Sequence, residues 1–584
     1  MGPQSEKKGW RTLGPYFVIF LACFVIVAPQ VIEHSMILGS DSIFHFNRFY
    51  DAAKQIQNRN LSFFQTNYGY QQSGRVINAI YGPLFAYLNG AVLGMVGTWY
   101  RYEVLSALVI YWIAGVGMYQ LAKRLGARPT MGTLLAIIYM NIGWLPRWET
   151  AQNMNAWGAA LAPFLCICAA RMIQDRQQPV NRWQLLAIMT VIIQIHMLSS
   201  LFFAVTLVPF FIFGLRSAAD PKKMWKATIQ AALGTIVLTA NVWGALLAME
   251  MSNDIAKPAP FKLTNNVLIA SFSKGSRDYI LVGVLVLLLA QIIYVILHWW
   301  QSRVNTIITA VGAVFLWLSS PFFPWGFLQK AFPTLERILQ FPDRLTVLAF
   351  PLLFAGVAVT SRELVLQHSL RQRHWRKIGM LVMTLLAVWA QLANMMDIYQ
   401  TSQSYHTDKV IVHQGGVSKH SPHDHLIRIS VHSLHPGQLL QLVEKRSPDY
   451  LPVTSKNLSK KYVRSYAYEN QIIEHVNEFQ HTVLPGGKLQ LTWHSNRAGE
   501  IRLPIVTYRQ SRLTVNGKVV KHYRRSSIGA PFIHQRKGYN RVTLQFVQPW
   551  WLTLLIIISL LGIVGVLIFG VIKLLLYVQQ WYKS

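Results

Sequence analysis

The sequence predicts a polytopic α-helical membrane protein of about 12 spans, with a β-rich domain before the last span. Of its 584 residues, 52% are hydrophobic and only 13% are charged, whereas a typical soluble domain has roughly 25% charged residues. Apolar runs long enough to span a bilayer recur along the chain, except between residues 400 and 548. The 12% of aromatic residues exclude a disordered chain, and the 3 cysteines exclude a disulfide scaffold. A soluble nucleic-acid-binding protein could be as basic as this chain, but it would be less apolar.

The first apolar run, 13–32, predicts a signal anchor rather than a cleaved signal peptide. Lys7, Lys8 and Arg11 precede this run, and no Ala-x-Ala-like cleavage site follows it. The apolar core of a signal peptide has about 7–15 residues, which is shorter than this run. Because basic residues stay in the cytoplasm, we expect the N-terminus to be inside. The other predicted spans are 103–122, 131–146, 156–173, 183–199, 200–216, 227–249, 279–298, 304–320, 345–362, 378–396 and 549–572.

The apolar segment 81–97 decides the orientation of all later spans. It contains Pro83 and several glycines. If it spans, Lys123, Arg124 and Arg128 lie outside the cell; if it lies at the interface or re-enters, they lie in the cytoplasm together with every later basic loop. The positive-inside bias favours the non-spanning arrangement. A reporter fused near Arg128 is expected to be cytoplasmic, and an external signal there would contradict this topology.

This topology divides the chain into three parts. Residues 1–399 form the transmembrane domain with a first external loop at 33–101, residues 400–548 form an external domain, and residues 549–584 form the last helix and a short cytoplasmic tail. In the external part, Pro485-Gly486-Gly487 and Asn516-Gly517 separate short alternating runs. This pattern predicts an antiparallel β-rich domain of sandwich or jelly-roll type.

The external part 400–548 is strongly basic, with 21 Lys and Arg residues against 8 Asp and Glu residues. The positive electrostatic field of such a domain favours a polyanionic partner, such as a teichoic-acid-like polymer, or an anionic lipid surface. The alternative is a solvated surface without a specific polymer ligand. The external position argues against nucleic acid as a partner.

The first external loop contains the main candidate for a catalytic group. Asp41 stands at the start of a run, 43–58, whose apolar residues have helical spacing, and His45 and Arg48 follow at about one-turn steps. We expect this run to be an amphipathic helix lying on the outer leaflet. Asp41 is either an N-cap of that helix or a general base that accepts a proton from a hydroxyl group, and the two roles are compatible.

A short N-terminus, one span and an acidic residue at the start of an external helix resemble the GT-C superfamily of integral-membrane glycosyltransferases. The stretch 81–88, with Pro83, is similar to their second juxtamembrane helix, and Arg101 followed by a run ending in Lys123-Arg124-Leu125-Gly126 is similar to their next span. The resemblance implies that Asp41 is the catalytic base. It also implies a sugar donor linked to a polyprenyl phosphate.

Within that superfamily the chain looks most like the bacterial YfhO-like membrane proteins. Gln340-Phe341-Pro342-Asp343-Arg344 and Asp449-Tyr450-Leu451-Pro452 resemble segments of those proteins, as does the β-rich stretch from Leu503 to Gly517. Ile195-His196-Met197 is similar to their external His-Pro pair, although Met197 replaces the proline. The resemblance implies a multi-pass protein of the bacterial cell membrane with both termini in the cytoplasm.

Several cations could hold the phosphate of a lipid-linked donor at the outer face. Arg344 is the first candidate because it opens a span, and the alternative is an anchor residue that snorkels. Arg147 is a second candidate, although it could simply pair with Glu149. His196 could bind substrate or could be a satisfied hydrogen-bonding residue. For His45 and Arg48 the alternative is that they face lipid headgroups.

A metal is not favoured. Members of the superfamily that need a divalent cation often have Asp-x-Asp or Asp-x-Glu, whereas Ser40 and Ser42 flank Asp41 here. A bound cation, the less favoured alternative, would need a further acid such as Glu149 or Asp254. Zinc is weakly indicated, because the histidines of the external domain have irregular spacing and no accompanying cysteine. Six of them form a loose cluster, namely His413, His420, His423, His425, His432 and His435.

The sequence therefore predicts a glycosyltransferase that moves a sugar from a polyprenyl-phosphate donor to a cell-envelope acceptor on the outer face. The acceptor would be a teichoic-acid-like polymer, a glycolipid or a polysaccharide. One alternative is a non-catalytic envelope-assembly protein that binds a lipid-linked intermediate on the same scaffold. A flippase or transporter is less favoured, because acidic residues are rare in the middle of the predicted spans.

Overall fold

The computed structural model describes residues 3–366, 370–412, 416–420, 423–454 and 466–583, and helices dominate them. Most of the helices lie in the first 400 residues. They are α1 (Pro3–Ile32), α2 (Ser42–Gln57), α3 (Pro83–Val96), α4 (Trp99–Arg124), α5 (Pro129–Met140), α6 (Pro146–Ala151), α7 (Asn155–Gln174), α8 (Arg182–Ile195), α9 (Met197–Leu215), α10 (Pro221–Leu238), α11 (Ala240–Ser252), α12 (Val282–Leu297), α13 (Arg303–Ser319), α14 (Trp325–Ala331), α15 (Leu335–Ile338), α16 (Thr346–Leu366) and α17 (Leu370–Ser402). The later helices are α18 (Asp424–His432), α19 (Gly437–Leu442), α20 (Tyr466–Gln471) and α21 (Trp550–Lys583).

Seven helices of the described chain are long and apolar enough to cross a membrane, and an eighth span arises if the bent pair α10–α11 counts as one. These eight coincide with eight of the predicted spans. The other four predicted spans correspond to shorter apolar helices, namely α5, α8, α12 and α13, which have 12 to 17 residues. The membrane character of the chain is supported, and the number of 12 spans stays a prediction.

The predicted span 227–249 is not one straight helix. α10 ends at Leu238, and α11 continues at an angle of 62°. The break frees the carbonyl of Leu238, which accepts hydrogen bonds from Gln194 Nε2 at 3.2 Å and from Ser559 Oγ at 2.7 Å. Polar side chains of two other helices therefore satisfy the backbone at the bend, as an apolar environment requires.

The helices differ in how deeply they are buried. The membrane-spanning windows of α7 and α16 are 83% and 89% buried, whereas only 6% of the α21 window is buried. α7 and α16 therefore form the centre of the bundle, and α21 lies at its edge, where it packs against α10 and α11. An apolar helix with so few buried residues is stable only in an apolar medium such as a bilayer.

α2 differs from the expected surface helix. Of its 16 residues only four escape burial: Tyr50, Lys54, Ile56 and Gln57. α3 packs so closely along it that a methyl group built at Gly90 would lie 2.7 Å from Ala53 N. The expected orientation, with one face on the lipid headgroups, is therefore wrong for this helix. His45 and Arg48 are 3% and 0% exposed, so they do not face headgroups either.

The strand-rich region lies near the C-terminus, as predicted. The strands are β1 (Ile269–Ser271), β2 (Tyr279–Leu281), β3 (Val417–Lys419), β4 (Val443–Lys445), β5 (Gln480–Leu484), β6 (Lys488–Ser495), β7 (Gly499–Arg502), β8 (Ser511–Val515), β9 (Lys518–Val520), β10 (Phe532–Gln535) and β11 (Gly538–Phe546). A five-stranded antiparallel sheet has the order β5-β6-β11-β8-β9, and β7 pairs with β10. Buried side chains of both sheets, such as Leu491, Val542 and Ile533, share one hydrophobic cluster.

Both predicted turns are confirmed. Asn516 and Gly517 join β8 to β9 with φ values of +47° and +85°, which is the combination that a two-residue type I′ hairpin requires. Pro485-Gly486-Gly487 joins β5 to β6, with both glycines at positive φ. Turn chemistry at these positions sets the register of two strand pairs, and thus of four strands, in the main sheet.

The segment that follows α17 packs against the helical bundle rather than against the five-stranded sheet. Ile411 forms a parallel bridge with Leu38, and Val412 N donates to Leu38 O at 3.0 Å. Ile427 and Leu439 belong to the same hydrophobic cluster as the membrane helices. This packing brings β4 and the residues after it to the start of α2.

Candidate functional site

A cavity of about 610 Å³ lies at the start of α2. Seven separate parts of the chain line it: the α2 start with Asp41, the loop before α3 with Tyr81, the loop before α7, the turn at His196, the end of α11 with the residues up to 258, the segment around α15 with Arg344, and residues 445–450. Asp41, His45, His196 and Arg344 were predicted as site residues, and all four line this one cavity.

The carboxylate of Asp41 faces the cavity rather than the helix. Asp41 stands at the N-cap position of α2, but within the described structure its side chain accepts no hydrogen bond from the helix amides. Asn153 Nδ2 donates to its Oδ2 at 2.9 Å, and Asp41 N donates to Ala151 O at 3.2 Å. The interpretation of this side chain as a simple cap is therefore wrong. The carboxylate is held from one side and stays partly exposed.

His45 lines the cavity as a neutral imidazole. The Arg48 guanidinium lies 3.1 Å from its Nδ1, and because a guanidinium can only donate, this nitrogen is the acceptor. Burial, together with the charge of Arg48, holds the pKa of His45 well below its usual range. His45 can therefore offer one N–H to a ligand, and it does not contribute a positive charge.

Arg48 lies beneath the cavity wall instead of on it. Its guanidinium donates to Asn78 Oδ1 at 3.1 Å and to the carbonyls of Tyr81 and Gly82, the latter at 3.3 Å. It also stacks on the Tyr81 ring at 4.5 Å. Its N–H groups are thus used by the loop before α3. Arg48 positions Tyr81, and in the described structure it is not among the residues that line the cavity.

His196 is also neutral. Its ring lies where α8 ends and α9 begins, and Nδ1 is 2.8 Å from Ser199 Oγ. Burial lowers the pKa of His196 to about 3, and the charges of Arg344 and Arg48 act in the same direction. At neutral pH this side chain is a hydrogen-bonding group on the cavity wall.

Arg344 is the best placed of the predicted cations. It is 8% exposed, unlike a snorkelling anchor that reaches water. One N–H group donates to Leu339 O at 2.8 Å, and the guanidinium stacks on Phe341 at 4.6 Å. Its Nε is buried and finds no partner among the described residues. The guanidinium is therefore held in place with hydrogen-bonding capacity left for a ligand.

Arg147 and Glu149 do not form the ion pair that their spacing suggests. Arg147 donates to Thr150 Oγ1 at 3.3 Å, whereas Glu149 turns away and accepts from Tyr111 OH at 2.9 Å. Burial raises the pKa of Glu149 well above its usual range. Neither residue lines the cavity in the described part of the chain. Glu149 is therefore not placed to share a cation with Asp41.

Among the described residues, metal ligands are not concentrated in any one place. No group of three or more His, Cys, Asp or Glu side chains among the described residues could hold a metal ion. His413, one of the six histidines of the weak zinc prediction, lies outside the described residues. Of the others, His420 lies 3.2 Å from Glu444 and His432 lies 3.0 Å from Tyr405 OH.

Several residues of the site were not predicted, among them Asn153, Tyr81 and Lys445. Asn153 holds the Asp41 carboxylate, Tyr81 forms part of the wall, and Lys445 donates to the carbonyl of Ser40 while it lines the cavity. Asp449 and Tyr450, which were noted only as part of a motif, lie beside Lys445. No local pattern marks Asn153 or Lys445, because each reaches the site through a contact more than 100 residues away in sequence.

The cavity thus combines a carboxylate with an excess of positive charge. Lys257, Arg337, Arg344 and Lys445 line it together with Asp41, Glu250 and Asp449. Such a site can bind an anion and, next to it, accept a proton from a hydroxyl group. No protein-family model matches the chain, and the search of curated proteins gives no match either.

Proposed function

We propose that the protein is a membrane glycosyltransferase that moves a sugar from a polyprenyl phosphate to a cell-envelope acceptor on the outer face of a bacterial plasma membrane. The observation that carries the proposal is the Asp41 carboxylate. It caps none of the amides of α2 in the described structure, and it faces a cavity that it shares with Arg344. The proposed topology has both termini in the cytoplasm and residues 400–548 outside.

The proposed reaction is a direct displacement. Asp41 accepts the proton of an acceptor hydroxyl group, whose oxygen attacks the anomeric carbon of the donor sugar. The bond between that carbon and the phosphate oxygen breaks, and its electron pair leaves with the polyprenyl phosphate. Because Asn153 occupies only Oδ2 of Asp41, Oδ1 is the oxygen available to the proton. Displacement from the opposite side inverts the anomeric centre.

The cations of the cavity suit the leaving group. Arg344 and Lys445 can stabilise the charge that develops on the phosphate, and Arg gives bidentate contacts to phosphate oxygens. His45 and His196 add neutral hydrogen-bonding groups. Met197, Leu198 and Leu246 give the same cavity an apolar side, which suits the first isoprene units of the lipid.

Replacement of Asp41 by Asn tests the proposal. Purified protein in lipid would be given a polyprenyl-phosphate sugar and envelope polymer, and transfer would be followed by mass spectrometry. We expect Asp41→Asn to lose about 100-fold or more of transfer, because proton acceptance by a positioned base contributes about 10²–10⁴-fold. Binding of polyprenyl phosphate is expected to persist, because the cations remain.

Asp220→Asn is the matched control. Asp220 caps α10 by accepting from Lys223 N at 2.9 Å, and Asn caps equally well, so this variant is expected to keep full transfer. Full transfer by Asp41→Asn would exclude Asp41 as the base. Absence of transfer in the unmodified protein, with binding of the lipid intact, would favour the non-catalytic envelope-assembly protein.

A further inference from the structure

A second cavity lies at the end of the bundle opposite the candidate site. It is a groove of about 470 Å³ between α5, α12, α16 and α17. α16 begins two residues after Arg344 and has 21 residues, which corresponds to about 30 Å. The groove is lined by the last turns of this helix, from Val357 to Val365, so its lining lies about 17–29 Å along the helix from the end that carries the candidate site.

The groove is an apolar slot along the helix axes. α16 contributes Val357, Ser361 and Leu364 at spacings of four and three residues, and α12 contributes Leu287 and Tyr294. The α16 lining runs from residue 357 to residue 365, which is about 12 Å of helix. That length and apolar character suit part of an acyl chain.

Two arginines stand at one end of this slot. Arg128 directly precedes α5, and Arg376 lies near the start of α17, where it donates to Val365 O at 3.5 Å. Both line the groove, and no acidic residue lines it in the described structure. Among the described residues neither guanidinium forms an ion pair. The end of the slot is therefore positive, while its length is apolar.

The slot is open at Gly379, where the groove has unfilled space. A methyl group built on Gly379 would meet no atom within 4 Å in the described structure. Only 28% of the membrane-spanning window of α17 is buried, so the flank of this helix is available to surrounding lipid. A lipid chain can therefore enter the groove from the side, without passing through the bundle.

We propose that this groove binds an anionic diacyl phospholipid of the leaflet opposite the candidate site. The phosphate lies between Arg128 and Arg376, and one acyl chain fills the slot beside Gly379. Charge complementarity selects an anionic over a zwitterionic headgroup. The proposal is independent of the glycosyltransferase activity, because none of these residues lines the candidate site.

Native mass spectrometry of the full-length protein in detergent tests this site, with phosphatidylglycerol as the probe and phosphatidylcholine as the comparison. A juxtamembrane cation contributes about fivefold to the affinity for anionic lipid. Arg128→Gln and Arg376→Gln are each expected to weaken binding by about that factor. Lys222→Gln is the control, because Lys222 is an exposed cation in the first turn of another helix, α10.

A second pair of variants tests the slot without changing its charge. Gly379→Leu is expected to fill the groove and displace the lipid, whereas Gly379→Ala is expected to retain it, because a methyl group fits the open space. Equal binding by the double variant Arg128→Gln/Arg376→Gln and the unmodified protein would overturn the proposal. Equal affinity for phosphatidylcholine, or tighter binding of undecaprenyl phosphate than of phosphatidylglycerol, would overturn it as well.

Discussion

Asp51 fixes the loop between α2 and α3, and its removal is expected to release that loop. Asp51 is fully buried, and its Oδ1 accepts the backbone N–H groups of Asn67 and Tyr68, each at 2.8 Å. Gln55 Nε2 donates to Oδ2 at 2.6 Å. Asp51→Ala leaves these amides without an acceptor, at about 1–3 kcal/mol for each buried group. The variant no longer has a buried carboxylate, and the absence of that desolvation penalty offsets part of the destabilisation. We therefore expect a net destabilisation of about 2–4 kcal/mol.

Hydrogen exchange measures this effect where it arises. At pH 7.5 the amides of Asn67 and Tyr68 are expected to exchange at least about 30-fold faster in Asp51→Ala, because 2 kcal/mol corresponds to about that factor. Asp51→Asn keeps an acceptor oxygen and should exchange at an intermediate rate. Asp41→Ala is the control, because in the described structure the Asp41 side chain accepts a hydrogen bond from Asn153 and from no amide of this loop. Unchanged exchange in Asp51→Ala, or equal acceleration in Asp41→Ala, would refute the reasoning.

Three further predictions concern packing, pH and turn geometry. Gly90→Ala is expected to destabilise the protein by about 1–3 kcal/mol, since its methyl group would lie 2.7 Å from Ala53 N. Gly94→Ala in the same helix meets its nearest atom at 3.8 Å and should stabilise by up to about 1 kcal/mol; thermal unfolding in detergent compares the two. The pKa of His196 is about 3 in the folded protein and about 6.5 in the unfolded protein. Between pH 3 and pH 6.5 the unfolded state therefore binds a proton at His196 that the folded state does not bind. Stability should therefore fall as the pH drops below about 6.5, and His196→Gln should make that fall shallower in a pH series of unfolding midpoints. Gly517→Val puts a β-branched residue at φ +85° and should cost about 1–3 kcal/mol, seen as faster exchange in β8 and β9 while distant helices are unaffected.

Features that depend on neighbouring residues could be predicted from the sequence. The long apolar helices follow from the length and composition of each run, and the two hairpin turns follow from glycine at positive φ. Asp41 could be found because a single acidic residue opens a helix directly after the first span. In each case the deciding interaction lies within one turn of a helix or one hairpin.

Features that depend on distant residues could not be predicted in this way. The amphipathic pattern of α2 is real, but packing from α3 and from residues after 400 buries both faces. The direction of Glu149 is set by Tyr111, and the bend between α10 and α11 is stabilised by Gln194 and Ser559. These partners are 38 or more residues away in sequence. The hydrophobic periodicity of a short stretch of sequence carries no information about such distant contacts.

The contact between Lys445 and Ser40 joins residues 405 positions apart. During synthesis the first span and Asp41 leave the ribosome long before Lys445 exists. In the nascent protein the cavity at Asp41 therefore lacks one wall. Residues 445–450 add this wall only after most of the helical bundle has been made. Loop closure over such a distance is slow. Completion of the cavity is thus tied to the synthesis of residues 445–450, and a chain that stops short of residue 445 carries the Asp41 carboxylate without this wall.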